Sequence, residues 1–136
     1  MIVRHEPEVG DARQWEFNPR RVRASRAEMV ERQYGKGWQE YLVDLMRGSM
    51  AARRVLLWDL TRLEHPGFPF RDTPDFYADE FTVEFTKAEL EAMREETNSN
   101  TTLAEDDKRI MLAALDTEIE KAPTGVDEGK APSETG

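Results

Sequence analysis

Between Gly48 and Gly67 the chain has little choice but to form one helix. Ser49 offers an N-cap oxygen to an unpaired helical N–H. Ala52, Val55, Leu56, Leu60 and Leu63 then recur along one face, and Leu57 and Trp58 widen it. His65 sits where the helix ends, and Pro66-Gly67 stops it. At about seventeen residues this is the longest element expected in the N-terminal half. A helix apolar over more than half its circumference belongs at the centre of a fold. It falls short of the ~20 apolar residues that cross a bilayer, and no other run approaches that length.

The neighbouring segments supply what such a helix packs against. "SRAEMVERQYG" opens with Ser25 and Glu28 at capping-box spacing, lays Met29, Val30, Gln33 and Tyr34 along one side, and stops at Gly35. A second helix starts at Trp38 and carries Tyr41, Leu42, Leu45 and Met46 at core spacing before Gly48. Trp15 and Phe17 alternate around Glu16, and Phe81, Val83 and Phe85 alternate in "DEFTVEFTK". Both read as short strands able to pair with each other. Between Pro66 and Glu80, three prolines and three phenylalanines predict an ordered loop folded back onto the helices. Thr86 and Glu89 repeat the capping-box spacing before a short helix, "TNSNTT" forms a polar joint, and Thr102 with Glu105 caps a last helix.

The expected fold is therefore mainly α: about five helices, a short two-stranded β pairing, and a disordered tail. The expected division is a loose lead-in over 1–13, a helical core domain over 14–97, a C-terminal helix over 98–121, and a tail over 122–136. That tail holds one aliphatic residue beyond alanine and cannot bury enough surface to offset chain entropy.

At 136 residues the chain fits one domain. It has no cysteine, which removes disulfides and thiolate metal sites and agrees with a reducing compartment. The N-terminus is charged from Arg4, unlike a signal peptide, so a cytosolic location is the default expectation. The net charge of −9 is uneven: residues 1–70 carry twelve Lys/Arg against ten Asp/Glu, and residues 71–121 carry six against fifteen. An acidic chain gains little from phosphate backbones. The basic cluster Arg20, Arg21, Arg23 and Arg26 is better read as a solvated face or as partners for nearby acids. Neither nucleic acid nor membrane is an expected partner.

No enzyme chemistry emerges. His5 lies in the lead-in and His65 at a helix end, with no ligand spacing between them. Asp72, Asp75, Asp79 and Glu80 lack the glycine and register of a calcium loop. "YGKGW" lacks phosphate-loop spacing. Ser25, Ser49, Ser99 and Ser133 lie outside any G-x-S-x-G setting. No catalytic, cofactor or metal residue is assigned. Trp38 and Trp58 fit core packing better than an exposed anchor. The last helix, after a polar joint and before a disordered tail, either folds back as core or offers its stripe to another chain. Leu103, Ile110, Met111, Leu115 and Ile119 are the candidate partner-binding residues.

Trp15 and Phe17, Gly35 with Trp38, Gly48-Ser49 with Ala51, Leu56-Leu57-Trp58, Pro66 and Phe70, and Asp75-Phe76 follow one another in an order that resembles tail assembly chaperones. These belong to long-tailed phages, above all those of GC-rich actinobacterial hosts. The likeness covers about residues 14–80 and rests on packing and capping positions. It implies a non-enzymatic assembly factor without a cofactor, acting in the host cytoplasm and absent from the mature virion. The implied partners are the tape measure protein, which it keeps soluble, and the tail tube protein, which polymerises around that protein. Self-association is left open. The resemblance also implies a longer product made by programmed frameshifting. In that setting the helical domain binds apolar faces of the tape measure, and the acidic second half discourages aggregation. The rival reading is a structural head–tail joining or tail-completion protein retained in the virion. A DNA-binding module using Arg20–Arg26 comes third, and an enzyme last.

Overall fold

A computed structural model describes residues 1–122. The expected disordered tail lies, from Pro123 onward, outside the described residues. The fold is mainly helical, with five α-helices and a three-stranded antiparallel sheet among the described residues. The chain divides into two compact units, Met1–Glu84 and a second beginning at Phe85.

In the first unit, strands β1 (Ile2–His5), β2 (Arg13–Glu16) and β3 (Phe81–Glu84) lie in the order β2-β1-β3. The loose lead-in expected over 1–13 is thus corrected: β1 is the central strand. Met1, Val3 and His5 alternate inward and are buried, a period-two pattern hidden by the histidine at its third position. The expected pairing of the two flanking strands is corrected as well. Both pair with β1, with Val3 opposite Trp15 on one side and Val83 on the other. On the opposite face Arg4 ties the three strands together, donating to Gln14 Oε1 at 3.1 Å and Glu84 Oε1 at 2.7 Å.

Helices α1 (Ala24–Tyr34), α2 (Trp38–Met46) and α3 (Met50–Glu64) complete this unit and pack on one another. Gly35 and Gly48 take φ of 88° and 89°, the left-handed conformation that ends a helix without a Cβ penalty. Ser49 Oγ accepts from Ala52 N at 3.2 Å, the cap expected for α3. Ser25 does not cap α1: the helix begins at Ala24, Arg23 holds the N-cap position without a side-chain bond, and Glu28 turns toward Arg32 at 3.5 Å.

Helix α3 is the core of this unit, buried continuously from Val55 to Thr61. Burial of one leucine contributes roughly 1.5–3 kcal/mol, so Leu56, Leu57 and Leu60 together anchor the unit. Leu63 departs from the expected face and is 52% exposed. The polar side chains of α3 tie in other segments. Arg53 donates to the Phe81 carbonyl at 3.1 Å, Arg54 to the Thr73 carbonyl at 3.1 Å, and Trp58 Nε1 to the Phe68 carbonyl at 2.9 Å. The loop after α3 folds back as expected: Phe70 meets Trp58 edge-on at 6.1 Å, and Phe76 stacks on Phe81 at 4.9 Å. Single 3₁₀ turns at Phe70–Asp72 and Ala78–Glu80 order it.

The second unit is a helical hairpin of α4 (Lys87–Ser99) and α5 (Glu105–Lys121). Thr86 and Glu89 form the expected capping box, with reciprocal bonds of 3.1 and 2.8 Å. Thr102 does not cap α5. It bonds Asn100 Oδ1, and the N-cap falls on Ala104. The expected core domain over 14–97 is corrected on both sides, because 1–13 belongs to the first unit and α4 to the hairpin.

Candidate interaction surfaces

The candidate stripe on α5 is divided by the structure. Met111 (7% exposed) and Leu115 (0%) are buried in the second unit, as are Leu90, Met93 and Thr97 of α4. Leu103, which lies in the bend before α5 and not on the helix, and Ile119 are half-buried, and Ile110 is 51% exposed. One residue advances about 100° around a helix, so Ile110 cannot share the direction of Met111. The hairpin is closed by Arg94, which reaches Asp116 across the two helices, and by Lys108 Nζ on the Asn98 carbonyl at 3.2 Å. Four of the five residues therefore serve wholly or partly as packing, and Ile110 alone presents an open apolar side chain.

A second surface, which sequence reasoning missed, runs along the seam of α1 and α3. Beneath it lies Asp59, 1% exposed in the apolar middle of α3. Arg26 grips one of its oxygens with Nε at 2.9 Å and an Nη at 2.7 Å, and Arg62 reaches the other at 2.7 Å. Arg26 hydrogen-bonds one oxygen, and Arg62 meets the other as an ion pair without hydrogen-bond geometry, so charge rather than full hydrogen bonding offsets the burial of this carboxylate. Each guanidinium also covers a ring: Arg26 lies 5.2 Å from the Phe17 centroid and Arg62 4.7 Å from that of Trp58. The basic cluster read as partners for nearby acids is, at Arg26, such a partner. Burial, reinforced by the Asp59 carboxylate, pushes the neighbouring Tyr41 phenol well above its ordinary range.

Over this triad the seam is apolar. Met29, 43% exposed, lies one turn beyond Arg26 on α1, and Arg62 contacts its sulfur at 3.4 Å. Leu63 lies one turn beyond Asp59 on the same side of α3. The signal that could have found the seam is Asp59 itself, since a carboxylate inside a run such as "VLLWDLT" demands a cationic partner.

The remaining candidates are structural. His5 is buried against the stacked pair Phe76 and Phe81, each 6.0 Å away, and burial lowers its pKa from 6.5. His65 is an exposed C-cap. Asp75 accepts from Phe76 N, and Glu80 accepts from Tyr77 N and Glu8 N. Around "YGKGW" an open groove is lined by Glu28, Glu31 and Glu40. Glu31 accepts from Trp38 N at 2.8 Å, so a carboxylate already occupies the amide that a phosphate would need. Among the described residues no three His, Asp or Glu side chains gather into a ligand set for a metal. No helix among them is long and apolar enough to cross a membrane. Trp58 is buried, and Trp38 is half-buried against Tyr41 at 5.3 Å. Compared with known proteins, the chain matches no family model, no curated protein and no solved structure.

Proposed function

We propose that this chain is a tail assembly chaperone of a long-tailed phage. It acts by binding, without catalysis or cofactor: it holds the tape measure protein soluble and promotes polymerisation of tail tube subunits around it. It works in the host cytoplasm and leaves before the particle is complete. One observation carries the reading. The positions of the resemblance, from Trp15 to Phe76, all fall in the first unit, and most serve there as caps or packing contacts, while Ala51, Pro66 and Asp75 are exposed. Gly35 and Gly48 are left-handed, Ser49 caps α3, Leu56, Leu57 and Trp58 are buried, and Phe70 and Phe76 close onto aromatic partners. A stable helical unit of this kind can present helix faces to a long helical client through grooves between packed helices.

Mass spectrometry of purified particles separates this function from its rival. The chaperone reading expects tape measure and tube peptides without peptides from this chain. Stoichiometric recovery of this chain from washed particles replaces it with a head–tail joining protein.

A further inference from the structure

We propose that the α1–α3 seam is a docking site for an acidic amphipathic helix of a partner protein, with Met29 and Leu63 as its apolar floor and Arg23 as its charged rim. The surface and the partner chemistry stand whether or not that partner belongs to a phage tail.

Charge decides the occupant. Every carboxylate carried by α1 and α3 is already engaged: Glu28 with Arg32, Glu31 with the Trp38 amide, Asp59 with Arg26 and Arg62, Glu64 with Arg13 at 2.5 Å. Two guanidiniums share the single charge of Asp59, so the triad is left with a net charge of about +1 just below the surface. Arg21 and Arg23, both exposed, have no carboxylate partner among the described residues. The first turn of α1 holds no acidic residue and no side-chain cap, so the positive end of its dipole adds to the same field. A local cationic patch on a chain of net charge −9 is selective for an acidic protein segment. Duplex nucleic acid is opposed by the remainder of the chain.

Shape decides the conformation. Two packed helices leave a groove between their side-chain ridges. Met29 on α1, against the Arg62 guanidinium, and Leu63 on α3, one turn beyond Asp59, supply its apolar side chains, and both belong to the short set of large exposed apolar residues among those described. An amphipathic helix laid along the groove places apolar side chains between them and its acidic flank over Arg21 and Arg23. A flexible thioether at Met29 adapts to such a partner better than a branched side chain does.

The full chain carries six methionines, so methyl-labelled methionine gives a short, readable NMR spectrum. Met50, 40% exposed at the start of α3, is the internal control for Met29 at 43%. The probe is a synthetic helical peptide with leucines on one face and glutamates flanking it. On titration the Met29 methyl signal shifts and the Met50 signal stays. Arg23→Glu and Leu63→Glu, both exposed positions that leave the melting temperature unchanged, each raise the dissociation constant at least about tenfold. Added salt weakens binding as well. Three results overturn the proposal: the Met29 and Met50 signals respond alike or neither responds; the same peptide with lysines for glutamates binds equally well; or a short DNA duplex shifts Met29 as strongly as the acidic peptide.

Discussion

Replacing Asp59 with asparagine keeps the shape of the side chain and removes the one negative charge between Arg26 and Arg62. Breaking a buried pair by deleting one partner costs roughly 3–5 kcal/mol, because the remaining charge is left uncompensated. Here two guanidiniums would be left facing each other, but both reach solvent at their edges, with side chains 18% and 13% exposed. Water partly replaces the carboxylate, which sets the expected loss at the lower end, about 3 kcal/mol. For a unit of this size that is a fall in melting temperature on the order of 15 °C. All three tryptophans, Trp15, Trp38 and Trp58, lie in the first unit. Urea unfolding followed by tryptophan fluorescence therefore reports this unit without interference from the α4–α5 hairpin. The control is the triple variant Arg26→Met, Asp59→Leu, Arg62→Met. Exchanging a whole buried ionic cluster for apolar groups is close to neutral. The triple variant also forfeits the stacking of Arg26 on Phe17 and of Arg62 on Trp58, each worth roughly 0.5–1 kcal/mol. It should therefore stay within about 2 kcal/mol of the native chain. A loss below about 1 kcal/mol for Asp59→Asn refutes the reasoning. So does a triple variant as unstable as the single one.

Tyr41→Phe should raise stability by about 1 kcal/mol in the same urea assay, because the buried hydroxyl has no hydrogen-bond partner among the described groups. His5 makes the first unit acid-sensitive. Its folded pKa lies below the ordinary 6.5 through burial and, secondarily, the Arg13 charge, with Glu80 opposing. Its contribution is complete above pH 6.5 and is lost as pH falls below it, because the unfolded chain then binds a proton the folded one excludes. His5→Phe should show a smaller drop in tryptophan-monitored stability between neutral pH and about pH 5.5. In the hairpin, Leu115→Ala should cost about 2–5 kcal/mol of helix melting by circular dichroism. Ile110→Ala should change it by no more than about 0.5 kcal/mol; equal losses at both positions would contradict the division of the α5 stripe.

Helices were legible where periodicity and caps agreed. Ser49 with Pro66-Gly67, Gly35, Gly48 and the Thr86–Glu89 box each satisfy backbone groups through local chemistry, so adjacent residues suffice to place them. Strand β1 escaped because its inward pattern is three residues long and ends on a histidine, which owes its burial to Phe76 and Phe81, more than seventy residues away. The Ser25 cap failed because capping spacing alone does not fix φ and ψ, and the N-cap of α1 falls two residues earlier, on Arg23. The seam was illegible for a different reason. Met29 and Leu63 both lie on faces that periodicity marks as core, and only the ion triad beneath them shows that α1 and α3 meet at Asp59 and leave those two outside.

The central claim is that this chain binds and solubilises a long helical client. Its most direct measurement is co-expression with the tape measure protein from the same genome, with the soluble fraction of that protein quantified and the complex recovered through a tag on this chain. The expected result is a recovered complex and a several-fold gain in soluble tape measure. A tape measure equally insoluble with and without this chain, and no complex on the tag, would contradict the claim.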